Sequence, residues 1–231
     1  MALTLDNITR GRQDRPFRLI LLGVEKIGKS TFGSEAPEPI FLPIRGEEGI
    51  DALSAARFPV LGTHGEIIEA LGALYEGDHD YRTVVMDSAS TAEPIITNEA
   101  MRIEGVDSPS KLGGGYGHQY DRPLALWKEI LEGLDALRTD RGMGSILIGH
   151  VKTKQFKDPM TEPYDVYEWD VNDRLKNMLF RWADGILFAN RKVAVQKDDA
   201  GFNKKHRRGT ELADRCLFTQ KQPAHPGGGR G

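Results

Sequence analysis

The sequence predicts an α/β fold: a mostly parallel sheet flanked by helices, with a C-terminal β-hairpin. Three observations carry that expectation. Short, continuous apolar runs recur along the 231 residues, as strands buried on both faces require. Stretches with apolar residues at helical spacing lie between them. Strands and helices therefore alternate, which calls for crossover units and parallel strand pairing.

The elements follow in order. "FRLILLG" (17–23) is the first buried strand and "PIFLPIRG" (39–46) the second. "RTVVMDS" (82–88) and "GSILIGH" (144–150) are the third and fourth, and "GILFANRKVAVQ" (185–196) supplies one or two more. A helix is expected over 65–77, from Ile67, Ile68, Leu71 and Leu74, and another over 122–140, from Leu126, Ile130, Leu134 and Leu137. A third, over 171–185, has Asn172 or Asp173 to cap it and ends at Gly185. The tail "GTELADRCLFTQKQPAHPGGGRG" starts as a strand that can pair with "RKVAVQ" and ends in a Gly-rich, patternless stretch. The expected organisation is a flexible lead-in over 1–16, one domain over 17–220 and a flexible tail over 221–231. Two segments resist this pattern, 104–122 ("EGVDSPSKLGGGYGHQYDR") and 152–170 ("KTKQFKDPMTEPYDVYEWD"). Both read as long loops on one side of the sheet, where open α/β sheets bind ligands.

Composition sets limits. Hydrophobic residues make up 39% and charged residues 28%, an ordinary globular balance. No apolar run approaches the roughly 20 residues of a bilayer span, and the first residues lack the pattern of a secretory signal. Cys216 is the single cysteine, which excludes an internal disulfide framework and suits a reducing, cytoplasmic location. No zinc-ligand spacing is present. The net charge of −3 is uneven: residues 1–110 hold 10 Lys and Arg against 18 Asp and Glu, and 111–231 hold 21 against 16. The basic half could face a polyanion or could simply be a solvated surface.

The chemistry begins at "GVEKIGKST" (23–31), which fits G-x-x-x-x-G-K-[ST] and follows a buried strand directly. Gly23, Val24, Glu25, Lys26, Ile27 and Gly28 would form a loop whose backbone N–H groups cradle phosphates. Lys29 would reach the β- and γ-phosphates of ATP, Ser30 would ligate Mg²⁺, and Thr31 would lie near the α-phosphate. Asp87 ends a buried strand, where P-loop nucleotide hydrolases hold magnesium, though Asp87 and Ser88 could also cap the next helix. Hydrolysis needs a group that activates water, and Glu47 and Glu48 after the second strand are candidates. In the two long segments, Lys111, Tyr116 and Tyr120, then Lys152, Lys154, Phe156 and Lys157, suit single-stranded nucleic acid: lysines track phosphates while aromatic rings stack on bases. "KKHRRG" (204–209) is a further basic cluster.

The ordered pieces "GVEKIGKST", "PIFLPIRGEEGID", "YRTVVMDSAS", "GGGYGHQYDRP", "SILIGHVKTK" and "EPYDVYEWDVNDRLKNMLFRWADGILFA" together resemble the RecA-type ATPase core. The chain is most similar to the phage-encoded, core-only RecA-like ATPases that act as single-strand annealing recombinases. The resemblance covers roughly residues 17–190, with the P-loop as its one highly specific motif. It implies Glu48 as the glutamate that activates water and Asp87 as the Walker B aspartate. It implies His150, at the tip of the fourth strand, as the sensor of the γ-phosphate. It further implies that the two long segments face single-stranded DNA in a homo-oligomeric ring or filament, with a neighbour's Arg191 or Lys192 reaching the γ-phosphate. A host single-strand-binding protein is an implied partner, and no membrane is. Two other readings share the ATP site. One is a small-molecule kinase, whose basic lid would have to come from Arg138 and Arg141. The other is an ATP-gated binding module with little hydrolysis.

Overall fold

The computed structural model describes Ile8, Gly11 and residues 14–47, 49–115, 117–157, 162–200 and 204–230; for 193–200 and 204–213 it describes the backbone alone. The expected lead-in over 1–16 thus lies mostly outside the described residues, as do the side chains of "KKHRRG".

The architecture is the expected mostly parallel sheet flanked by helices. Strands β1 (Arg18–Gly23), β2 (Pro39–Pro43), β3 (Ala56–Arg57), β4 (Thr83–Asp87), β5 (Gly144–Phe156) and β7 (Gly185–Ala200) pair in parallel in the order β3-β2-β4-β5-β1-β7. Strand β8 (Lys204–Phe218) closes the edge by antiparallel pairing with β7, forming the C-terminal hairpin. Helices α2 (His64–Glu76), α3 (Ala89–Glu104), α4 (Asp121–Asp140) and α5 (Asp173–Trp182) complete the alternation, with α1 (Lys29–Ser34) after β1.

Strand period decides which residue meets which layer. Ile20, Leu22, Ile40, Leu42, Val84, Met86 and Leu147 share one core with Ile67, Ile96, Leu134 and Leu179 of the helices. The alternate residues Leu21, Phe41, Val85, Ile146 and Ile148 form a smaller core on the opposite face, with Ile50. Both faces are covered, which is why these strands read as unbroken apolar runs. At the N-terminal edge of the strands, Asp184 accepts from Arg18 Nη2 at 2.9 Å and from Arg138 Nη2 at 2.8 Å. Arg138 Nε also donates to Pro16 O, and Arg141 Nη2 donates to Gly77 O. These two arginines therefore sit at the end of the sheet away from Gly23–Ser30 and form no lid over it.

Two expectations are corrected. Segment 152–170 is largely a β-hairpin: β5 runs on to Phe156 and pairs antiparallel with β6 (Tyr164–Trp169). The reason is alternation. In "HVKTKQF" and "YDVYEW" every second residue faces the same side, so cross-strand pairs form, including Lys154 opposite Val166 and beside Glu168 at 3.2 Å. The tail over 221–230 is docked as well. Gly228–Gly229 forms β9 against Gly185 and Ile186, and His225, 7% exposed, stacks on Phe188 at 4.5 Å between ring centroids. Glycine-rich composition hid a segment held by backbone pairing and one buried ring. Segment 104–122 contains two short 3-10 turns, Pro109–Gly114 and His118–Tyr120, anchored by the fully buried Leu112.

Gly149, on β5, permits the closest approach in the sheet. A methyl there would lie 2.4 Å from Trp169 Nε1 and 2.6 Å from Leu22 Cδ2. Trp169 is 1% exposed and donates to Ser90 Oγ at 2.9 Å, so it has no room to retreat. Gly149→Ala is expected to destabilise the protein by about 2 kcal/mol through overpacking, read as a lower urea midpoint at unchanged slope.

Candidate active site

The loop between β1 and α1 forms because β1 is buried up to Gly23 and Gly28 takes φ +102°, a conformation that suits glycine. Gly23 is also confined, since a methyl on it would lie 2.6 Å from Ala189 O on β7. Among the described residues, the backbone N–H groups of residues 26–30 find no acceptor. Successive amide donors left without acceptors in a loop can bind an anion, so the loop fits a polyphosphate. Lys29 is 7% exposed and its Nζ folds back onto Gly23 O (3.1 Å) and Val24 O (3.0 Å). Burial pulls the Lys29 ammonium below its usual range, against Asp87, Glu47 and Glu25, which favour the charged form.

The neighbouring strands bring the remaining groups to the same end of the sheet. Asp87, 3% exposed at the tip of β4, accepts from Ser30 Oγ at 2.6 Å. Burial pushes its carboxyl above the usual range, with Glu47 adding to that and Ser30, His150 and Lys29 opposing it. A bound Mg²⁺ would reverse the balance, and Ser30 with Asp87 offers the hydroxyl-plus-carboxylate pair that such an ion takes alongside nucleotide phosphates. Ser88 follows through a cis peptide bond and caps α3, accepting from Thr91 N. Of the two residues, Ser88 caps the helix while the Asp87 carboxylate faces Ser30 of the loop.

The glutamate that meets this cluster is Glu47. Its Oε1 accepts from Ser88 Oγ at 2.8 Å and lies 2.6 Å from His150 Nε2. Burial works to raise the Glu47 carboxyl, but the hydrogen bonds from His150 and Ser88 outweigh it, and the group titrates below the usual range. Glu48 lies outside the described residues. His150 is not at a strand tip, because β5 runs on to Phe156; it is the last β5 residue paired with β1, opposite Gly23, and its backbone N–H donates to Ser90 Oγ at 3.0 Å. That Glu47 and His150 touch leaves no sign in local sequence, because 103 residues separate them.

The nucleic-acid candidates are placed differently. Lys111 pairs with Asp107 (2.7 Å), Lys152 with Asp170 (2.8 Å) and Lys154 with Glu168 (3.2 Å). Lys157 and Phe156 are exposed at the end of the described hairpin strand. Tyr120 lies under the Arg174 guanidinium at 4.8 Å, and Tyr116 lies outside the described residues. Neither segment is thus a bare basic surface. Arg191 and Lys192 are exposed on β7, beyond the strand's pairing with β1.

A buried P-loop lysine, a hydrogen-bonded serine–aspartate pair and a glutamate–histidine pair beside them make up a candidate P-loop nucleotide-binding site. The family comparison agrees: the AAA domain model (AAA_24) matches residues 15–231, and the chain belongs to that family. No curated protein matches the chain. Among solved structures it is similar to the RadB recombinase, at 15% identity and a TM-score of 0.46, over 88% of this chain and 87% of that one. No helix among the described residues is long and apolar enough to cross a membrane.

Proposed function

We propose that the chain is an ATPase that hydrolyses Mg²⁺-ATP at the 23–31 loop, with Glu47 orienting and deprotonating the attacking water. The carrying observation is the continuous path Ser30–Asp87, Ser88–Glu47–His150. It joins the phosphate loop to β5 at the residue where the β5–β6 hairpin leaves the sheet. Lys29 would bind the transferring phosphoryl group, Ser30 and Asp87 would hold Mg²⁺, and the chemistry that ion would supply is charge neutralisation at the phosphates. Glu47 must turn from His150 toward water or γ-phosphate, so nucleotide state and hairpin position are coupled through one hydrogen bond.

The partner we propose is single-stranded DNA, in phage recombination by single-strand annealing or strand pairing, with the protein acting as a homo-oligomer. The support is chemical. Lys152, Lys154 and Lys157 lie along one hairpin with the exposed Phe156, and exchanging Asp170 and Glu168 for phosphates would free the first two lysines. That exchange makes binding weak and steeply salt-dependent. Hydrolysis measured with and without oligo-dT at about 50 and 200 mM salt tests it. Several-fold stimulation at low salt is expected, fading at high salt. It should be lost when Lys152, Lys154 and Lys157 are all Ala, with basal turnover kept. Absence of both stimulation and ATP-dependent DNA binding would overturn the DNA assignment in favour of a gated module acting on another partner.

A further inference from the structure

The β7–β8 hairpin is rooted against the phosphate loop. Ala189 of β7 pairs with Gly23, and two residues further Arg191 lies opposite Arg215 of β8. From there the Arg215 side chain reaches the loop: a methyl on Gly28 would lie 2.9 Å from Arg215 Nη1. The direction in which a side chain would leave Gly28 is therefore filled by a guanidinium from the edge strand. Arg215 is exposed and, among the described residues, no carboxylate or carbonyl pairs with it. Gly28 belongs to the same loop as the N–H groups of residues 26–30, which find no acceptor among the described residues.

We infer that Arg215 is a phosphate-binding residue acting within its own chain, donating to the polyphosphate of the nucleotide held by the 23–31 loop. The reasoning is one of charge and valence. The guanidinium and the loop amides are all donors, so none can satisfy another, and an anion between them satisfies all. Arginine suits the role because its planar fork meets two phosphate oxygens at once. The arrangement also fixes the hairpin's base to the bound nucleotide. The inference rests on the nucleotide reading of the loop.

Titration of the full chain with fluorescent mant-ATP and mant-ADP tests it. Arg215→Ala is expected to raise the Kd of at least one of the two by about tenfold, the loss typical of a hydrogen-bonded charge. Arg215→Lys should recover part of that loss, and the thermal melt without nucleotide should not move, since the side chain is exposed. An unchanged or tighter Kd in Arg215→Ala overturns the inference while leaving the loop's role intact. The parallel variant Lys29→Ala separates the two failures: wild-type binding there would sink the nucleotide reading itself.

Discussion

Lys29→Ala is expected to lose nucleotide binding and, with it, ATP turnover by about 10²- to 10³-fold or more. The size follows from where the ammonium sits. It is nearly buried, so a phosphate beside it interacts at low effective dielectric rather than through water. Without nucleotide its contacts are two loop carbonyls, Gly23 O and Val24 O, which phosphate oxygens would replace as acceptors. The cleanest readout is thermal. Nucleotide at a hundredfold excess over Kd adds about 2.7 kcal/mol, and in a chain of this size that raises Tm by roughly 5–10 °C. The wild-type protein should show that upshift with Mg²⁺-ATP and Lys29→Ala should not. A variant that still shifts and still hydrolyses would remove Lys29 from the site.

Glu47→Gln carries the second large effect, and it separates the two adjacent glutamates. If Glu47 activates water, turnover should fall by about 10²- to 10⁴-fold with nucleotide affinity nearly kept, because the amide preserves shape and loses the base. Glu48→Gln should leave turnover close to wild type. The reverse pattern would restore the assignment implied by the RecA-type resemblance. The pH dependence has a defined sign. His150 and Ser88 favour the Glu47 carboxylate, so the base is ionised throughout the neutral range. In kcat/KM, which reports the free enzyme, its acid limb should appear only as pH falls below the ordinary glutamate value of about 4.3, and Glu47→Gln should remove it. An acid limb near neutrality that survives the substitution would point to another group.

Much of this was legible in the residues. Unbroken apolar runs read as buried parallel strands because both sheet faces are covered. The glycine and lysine spacing of 23–31 read as a phosphate loop because few backbones place that many free amides together. Where the reading failed, the missing quantity was cross-strand or cross-chain pairing. "YDVYEW" reads as loop because proline and charge around it mask a period of two, which Gly144–Phe156 can pair only once the hairpin closes. "HPGGGRG" lacks any pattern, yet Gly228 and Gly229 find Gly185 and Ile186 through backbone alone. Lysines read as free for phosphate are matched by Asp107, Glu168 and Asp170, and composition cannot show a partner's position.

The sequence by itself determined the fold class, the strand that leads into Gly23, and Lys29, Ser30 and Asp87 as candidate site residues, because each depends on residue type and short-range spacing. The tertiary structure alone decided that Glu47 faces His150 and Ser88, and that Arg215 lies over Gly28. Those meetings depend on strand order and register, which set distances between residues far apart in the chain and leave no mark in local pattern.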